Sequence, residues 1–502
     1  MSKPSQITRR QFLRSAGGVT FLALTPIGRG LFAAPGLALP RFTALPYVQP
    51  GPSSQLVDGH ESVVIAWQTE PQPADFVLEF GPTKALGRVA ALTRTERWGG
   101  PADGDRRFNY AAALSGLGLS LRYEYRLRGA DKTIAEGYFT TRKKRGEPTR
   151  FVAFGDNAYG DPAEKAIAYH AYQSHPDFIM NTGDNVYESG LDHEYAQYFF
   201  PVYNADKADP AVGAPLLRSV PFYTVMANHD VHHKGIGGRP AADFDQYRDA
   251  LAYYTAMHLP RNGPAPSPTP LLGDTALVRD FQGCAGTRYP HMANYSFDCG
   301  DAHFLCLDSN VYIDPTDAEL QAWIAADLQG TDAPWKFVTY HHPAFNAGNE
   351  HYKEQQMRAL SPLFEAHGVD FCLHGHHHSY QRTRPFRFKP ADLTRATPDH
   401  VADRRIPGVF TVDTAFDGKA RTRPNGIMYI TTGAGGKELY DPALTDAPAE
   451  WLHADDANAD YVARFVSSTH SMTVFDIHGP ALTLTQIDEM GKELDRIRVT
   501  KA

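Results

Sequence analysis

Apolar and polar positions fall into two textures along the chain. Between about residues 42 and 146 short segments alternate and are separated by Gly and Pro: ESVVIAWQT, ADFVLEFG and LRYEYRLRG each read as a strand, with Leu121, Tyr123, Tyr125 and Leu127 sharing one face of the last. Several such strands close together predict a small β-sandwich, and Trp67 lies where its core would take an aromatic side chain. From Arg150 the pattern changes. RFVAFGD, DFIMNTGD, PFYTVMANHD, AHFLCLDSN, WKFVTYHHP and VDFCLHGHHH are apolar runs that each stop at Asp, Asn or His. Helical stretches are predicted over residues 162–174, 317–328 and 352–367, which makes this part α/β. In open α/β sheets the loops beyond the carboxyl ends of the strands build the site, so polar residues far apart in sequence are expected to converge there. SMTVFDI, ALTLTQI and DRIRVT, near the end of the chain, alternate again and are expected to complete a sheet. Residues 231–292 and 383–425, rich in Gly, Pro, Arg and Asp, read as long loops, and TTRKKRGEPTR between the two textures reads as a linker.

Length and composition narrow the picture. A chain of 502 residues exceeds one compact core, and 42% hydrophobic with 21% charged residues is ordinary for a globular protein. The net charge of -8 comes without a long basic run, which speaks against binding of nucleic acid through its phosphates. Residues 1–38 start with Thr8-Arg9-Arg10-Gln11-Phe12-Leu13, continue with a short apolar stretch from Gly17 to Leu24 and end in Ala and Pro; this resembles a twin-arginine export signal. The apolar stretch is too short and too broken to span a membrane, and the implied destination is the periplasm or beyond. The four cysteines form no CxxC pair; Cys306 and Cys372 read as small buried hydrophobes, while Cys284 and Cys299 are placed where a bridge is conceivable in an oxidising compartment.

Taken singly, the polar strand ends have ordinary readings. Asp156 after Gly155 can cap a helix, Gly183-Asp184-Asn185-Val186-Tyr187 can be a turn, Asn228-His229-Asp230 can be loop hydrogen bonding, and His341 can be a satisfied histidine at a strand terminus. The crowd of His374, His376, His377 and His378 at one strand end is harder to explain as core or as solvated loop. Alternation along an extended chain sends His376 and His378 to one side and His377 to the other; His374 has the same parity as the first two.

Read in order, Gly-Asp, Gly-Asp-x-x-Tyr, Asn-His-Asp, Val-x-x-His and Gly-His-x-His resemble the motif series of metallophosphoesterases of the purple acid phosphatase type, over roughly Phe151 to Arg382. Ala227, where that family usually has Gly, and the additional His374 are departures. The resemblance implies a fibronectin type III-like sandwich over residues 42–146, which the pattern from Leu114 to Leu127 also resembles, and a four-layer α/β/β/α catalytic domain over 147–502. It implies one cation site of Asp156, Asp184, Tyr187 and His378, and a second of Asp184, Asn228, His341 and His376. Two carboxylates and a phenolate suit Fe(3+); the otherwise neutral second set suits a divalent Zn, Mn or Fe ion. The implied reaction is hydrolysis of a small phosphorylated substrate, a phosphate monoester, by attack of a metal-bound hydroxide. His229, oriented by Asp230, and His351 are the expected proton donors to the leaving group. His351 reads equally as a surface histidine and His342 as a loop-shaping one, while His232 and His233 read as solvated. A phosphodiesterase using the same site and a non-catalytic cell-surface binding protein are the alternatives.

Overall fold

The structure is a computed structural model that describes residues 39–501 apart from 53–58, 103, 232–234, 237–238, 241, 267–269, 446 and 452–459. The leader and the pair His232 and His233 lie outside the described residues. The alternating segments form two antiparallel four-stranded sheets. One runs Phe42–Gln49, His60–Thr69, Arg106–Gly118, Ala91–Trp98; the other runs Arg88–Val89, Phe76–Gly81, Arg122–Gly129, Lys132–Thr140. Trp67, fully buried, stacks on Tyr110 at 5.2 Å and meets Phe76 of the opposite sheet edge-on at 5.6 Å. It is a core residue. Tyr123, Tyr125 and Leu127 are buried as their alternation requires, whereas Leu121, just ahead of the strand, is exposed.

The apolar runs after residue 148 build two larger sheets. Strands Thr149–Phe154, Phe178–Asn181 and Phe222–Thr224 are parallel, and Ser471–His478 joins Thr149–Phe154 antiparallel, followed by Ala481–Asp488 and Glu493–Thr500. In the seven-stranded sheet Ala302–Cys306, Trp335–Thr339, Phe371–His374 and Met428–Thr432 are parallel, flanked by antiparallel edges. The sheets lie face to face over an aromatic seam: the Phe151 ring is 5.1 Å from Phe304 and 5.2 Å from Phe337, and 4.6 Å from Phe475 in its own sheet. Helices cover the outer faces. Pro162–Gln173 starts where the Asp161 side chain accepts from the Ala163 amide and Pro162 takes the first turn, and it buries Ile167, Ala168 and Ala171. Ala318–Gly330, capped by Asp317, buries Ile324 and Leu328 in a second core with Leu305, Val338, Phe364 and Cys372. This is the α/β fold with four layers that the sequence implied. The third helix is shorter than expected: Gln356–Leu360 is a tight 3-10 turn and the α-helix is confined to Ser361–Ala366, because Pro362 has no N–H to donate and fits only a helix's first turn.

The linker is bound on both sides. Arg142 is buried and pairs with Glu61 at 2.5 Å while donating to the Asp298 carbonyl; Arg145 donates to the Gly300 carbonyl at 2.7 Å. All four cysteines are free and buried, and Cys284 Sγ lies 3.2 Å from the Thr95 hydroxyl. Among the described residues no helix is long and apolar enough to cross a membrane.

One buried group ties stability to pH. His303 Nδ1 lies 2.9 Å from Asp298 and Nε2 lies 2.9 Å from Asp327, which also accepts from the Ser296 hydroxyl. Burial alone would lower its pKa, but the hydrogen bonds and charges of Asp298 and Asp327 outweigh burial and raise it from 6.5 to about 9. A folded value above the unfolded one stabilises the protein fully below 6.5, and the contribution vanishes as pH climbs through about 9. Denaturant unfolding should show wild type losing on the order of 2 kcal/mol across that interval beyond any change seen in His303→Gln.

Candidate active site

Five strands of the two larger sheets deliver their polar ends to one place. Asp156 and Asp184 follow the first two parallel strands of one sheet, Asn228 and His229 follow the third, and His341 and His376 follow adjacent strands of the other sheet. The chain turns sharply at three of these residues: Asp156, Asp184 and His376 have φ of 57°, 51° and 67°, the left-handed region that side chains seldom occupy and that clusters at functional sites. Glycine makes the approach possible. Gly183 has φ 99°, and a Cβ there would fall 2.8 Å from His341 Nδ1; a Cβ at Gly375 would fall 2.4 Å from Asp156 Oδ2. His376 and His378 therefore reach the centre through a turn, since the strand ends at His374. His374 points elsewhere, buried with Nδ1 3.1 Å from the Thr431 hydroxyl, and His377 is held by Ser379 and Asp441.

The polar contacts fall into two sets that share Asp184. Tyr187 Oη donates toward Asp156 Oδ1 at 3.2 Å and Asp184 Oδ2 at 3.1 Å, and lies 3.3 Å from His378 Nε2. The ligand atoms of Asp184, His341 and His376 lie within 4.8 Å of one another, with His341 Nε2 3.2 Å from Asp184 Oδ2. The Asn228 amide oxygen, next in sequence to His229, is sealed from solvent and has no hydrogen-bond partner, and neither has His341 Nε2 by hydrogen-bond geometry despite its closeness to Asp184. Buried carboxylates this close repel each other unless cations lie among them, and orphaned lone pairs are what such cations would take up. The donor set fits two metal ions. His341 and His378 are aligned by their other nitrogens, which donate to the carbonyls of Thr182 at 2.8 Å and Glu438 at 2.6 Å, the usual support of a ligating imidazole.

Electrostatics agrees with that reading. Burial would raise Asp184, but His341 and His229 hold it well below the usual carboxylate range. Burial would lower His341, and Asp184 with Asp156 lifts it to about 9. Burial, then the charges of Asp184 and Asp156, push the Tyr187 phenol far up, so a strong local positive charge is what would ionise it. Burial and then His351 hold His376 neutral, with a lone pair to give.

The residues expected to handle protons are placed differently in detail from expectation. His229 is partly exposed, packs against the Tyr187 ring at 4.4 Å, and its backbone N–H donates to Asp184 Oδ1 at 2.9 Å. Its Nδ1 meets the Glu188 carbonyl at 2.8 Å, so a backbone oxygen orients the ring where Asp230 was expected to. The Asp230 carboxyl instead accepts from the Asn185 side chain and the Ala227 amide, and burial followed by the Asp184 charge raises its pKa to about 8. It shapes the turn that carries Asn228 and His229. His351, in the left-handed region with φ 59°, packs against His376 at 3.7 Å with the rings tilted by 41°, and meets Glu354 Oε1 at 2.9 Å. Glu354 was not foreseen; its second oxygen is 2.9 Å from His376 Nε2, and burial is outweighed by His376 and His351 so that it stays ionised. Its place three residues after His351 was the available signal. His342 is buried against Ser309, whose hydroxyl also accepts from the His341 and His342 amides, so it shapes the loop. The loop after Met428–Thr432 also reaches the site, with Tyr440 stacked on His378 at 4.0 Å.

Comparison with known proteins follows the same lines. Residues 149–380 match the calcineurin-like phosphoesterase family. Purple acid phosphatase 18 of Arabidopsis thaliana is 36% identical over 185 residues, covering 36% of this chain and 35% of that protein, so the chain spans about a third of that relative. Among solved structures, purple acid phosphatase PPD1 from yellow lupin (Lupinus luteus) seeds superposes with a TM-score of 0.58 at 16% identity, over 91% of this chain and 74% of that one. The structure of PhoD superposes with a TM-score of 0.53 at 14% identity, over 93% and 94%. These two likenesses concern the fold.

Proposed function

We propose that this chain, which belongs to the metallophosphoesterases of the purple acid phosphatase type, hydrolyses small phosphate monoesters outside the cytoplasm with a pair of metal ions. The observation that carries the reading is the sharing of Asp184 between two sets of donors, one acidic and one mainly neutral. Asp156, Asp184, Tyr187 and His378 would hold a ferric ion, and Asp184, Asn228, His341 and His376 a divalent one. Once bound, such a pair supplies Lewis acidity and makes water nucleophilic near neutral pH. The protein's own residues do the rest. His229, with Nδ1 turned to the Glu188 carbonyl, would present a proton to the departing alcohol from Nε2. His351, steadied by Glu354, offers a second imidazole beside the ester. The bond from phosphorus to the alcohol oxygen breaks, that oxygen takes the His229 proton, and water supplies the new P–O bond and the proton that restores the imidazole. The fibronectin-like reading of the N-terminal sandwich and the twin-arginine leader belong to the same proposal. They are supported by its strand order and by Arg9-Arg10 respectively.

Metal analysis with a visible spectrum, run beside p-nitrophenol release from p-nitrophenyl phosphate and from bis-p-nitrophenyl phosphate, tests it. Two metals per chain, a tyrosinate-to-iron absorption band and faster turnover of the monoester are expected. Stoichiometric metal without p-nitrophenol release from either ester overturns the reading, and preference for the diester reassigns the substrate.

A further inference from the structure

The glycine-rich loop after Met428–Thr432 leads into Lys437, whose backbone N–H donates to the Asp156 carbonyl at 2.9 Å. Its side chain then runs along the rim of the site. The ammonium sits 3.4 Å over the ring of Tyr159 and 5.0 Å from the ring centre of Tyr187, and it pairs with Glu188 Oε1 at 2.9 Å and Glu438 at 3.2 Å. Lys437 is buried although Glu188 and Glu438 are exposed, so the ammonium is fixed by aromatic rings as well as by charge. Glu188 is the residue whose carbonyl receives His229 Nδ1. The backbone beside it is held from behind by Glu194, which accepts from the amides of Glu188, Ser189 and Leu191.

We infer that Lys437 is a positioning residue for proton delivery: by gripping the Glu188 side chain from the front while Glu194 grips the backbone from behind, it fixes the carbonyl that aims His229. The inference rests on the proposed phosphatase reading for its catalytic consequence, but the clamp itself is a property of the loop. Loss of the ammonium frees the Glu188 side chain and lets the carbonyl rotate. The His229 ring then samples orientations in which its proton no longer reaches the leaving oxygen. Glu188 and Glu438 are exposed, and an ion pair to an exposed carboxylate adds little to global stability, so a variant folds.

Lys437→Met keeps the apolar stem over Tyr159 and removes the charge. Amide hydrogen exchange of residues 187–191 in the metal-loaded full chain should quicken roughly tenfold in this variant while exchange in Thr149–Phe154 stays as in wild type. Turnover of an alkyl phosphate, whose leaving group needs a proton, should fall roughly 10- to 30-fold, with a much smaller fall for p-nitrophenyl phosphate and KM within about twofold. Glu188→Gln should give the same pattern, and the double variant should add nothing to either alone. Unchanged exchange at 187–191 overturns the clamp whether or not the protein turns over any ester. Quickened exchange with equal losses for the two leaving groups overturns its role in proton delivery. Wild type inert toward both esters but with the exchange difference intact would sink the phosphatase reading and leave the clamp standing.

Discussion

Asp184→Asn is expected to remain folded, to lose most of its bound metal, and to release phosphate roughly 10⁴-fold more slowly than wild type, a barrier increase of about 5 kcal/mol. Asparagine is the right replacement because it tolerates the left-handed backbone at this position, φ 51°, where alanine would add strain. The change removes the one carboxylate common to both donor sets. Its Oδ2 serves Tyr187 at 3.1 Å and His341 at 3.2 Å, while Oδ1 accepts the His229 amide at 2.9 Å. A neutral amide can occupy the same volume but cannot offset two cations, so affinity for both should fall together. Elemental analysis after dialysis, with thermal unfolding as the check on folding, reads the outcome. Retention of two metals per chain in a folded Asp184→Asn would show that the shared carboxylate is not what binds them.

His229→Ala is expected to keep its metals and to lose about 10²- to 10³-fold in kcat on alkyl phosphates, with a markedly smaller loss on p-nitrophenyl phosphate. The imidazole sits beside the donor sets; on the proposed reading it protonates the departing group, so a leaving group that needs no proton should be nearly indifferent to it. Its ring also packs on Tyr187 at 4.4 Å, and an unchanged tyrosinate-to-metal band in the variant would separate proton delivery from disturbance of the ligand. Equal loss for both leaving groups would assign His229 to anion binding instead.

Much of this site was legible because its residues end apolar runs. A strand that stops at a polar residue announces both the sheet and the place where the sheet presents chemistry; Asp156, Asp184, His341 and His376 all follow such runs, but each has an ordinary reading alone, and only their order, through the family resemblance, joined them. Parity along the chain was a poorer guide. It grouped His374 with His376 and His378, but the strand ends at His374 and a left-handed turn at His376 resets the direction of the side chains, which the sequence shows only through Gly375. Asp230 was misread for a related reason: adjacency to His229 suggested a hydrogen bond between side chains, whereas the tight turn sends the carboxyl back to Asn185 and Ala227. Glu354, Glu188 and Lys437 left almost no trace, because what matters about them is contact across 22, 41 and 249 positions respectively. The starts of two helices were read well, at 162 and 317 against the observed Pro162 and Ala318, where Asp161 and Asp317 cap the first turns locally.

The binding of the linker has a practical corollary for anyone wishing to dissect the protein. Tyr47 sends its hydroxyl to the Ala256 carbonyl at 2.7 Å and lays its ring 5.0 Å from Phe200, and Ala44, Val64 and Ala66 join the same core as Phe151 and Phe178. Truncation at residue 147 would thus uncover an oily wound on the α/β half and strand the Asp298 carbonyl without Arg142. The sandwich is better regarded as a keel than as a passenger, and attempts to transplant it onto another enzyme would carry away part of this one's interior.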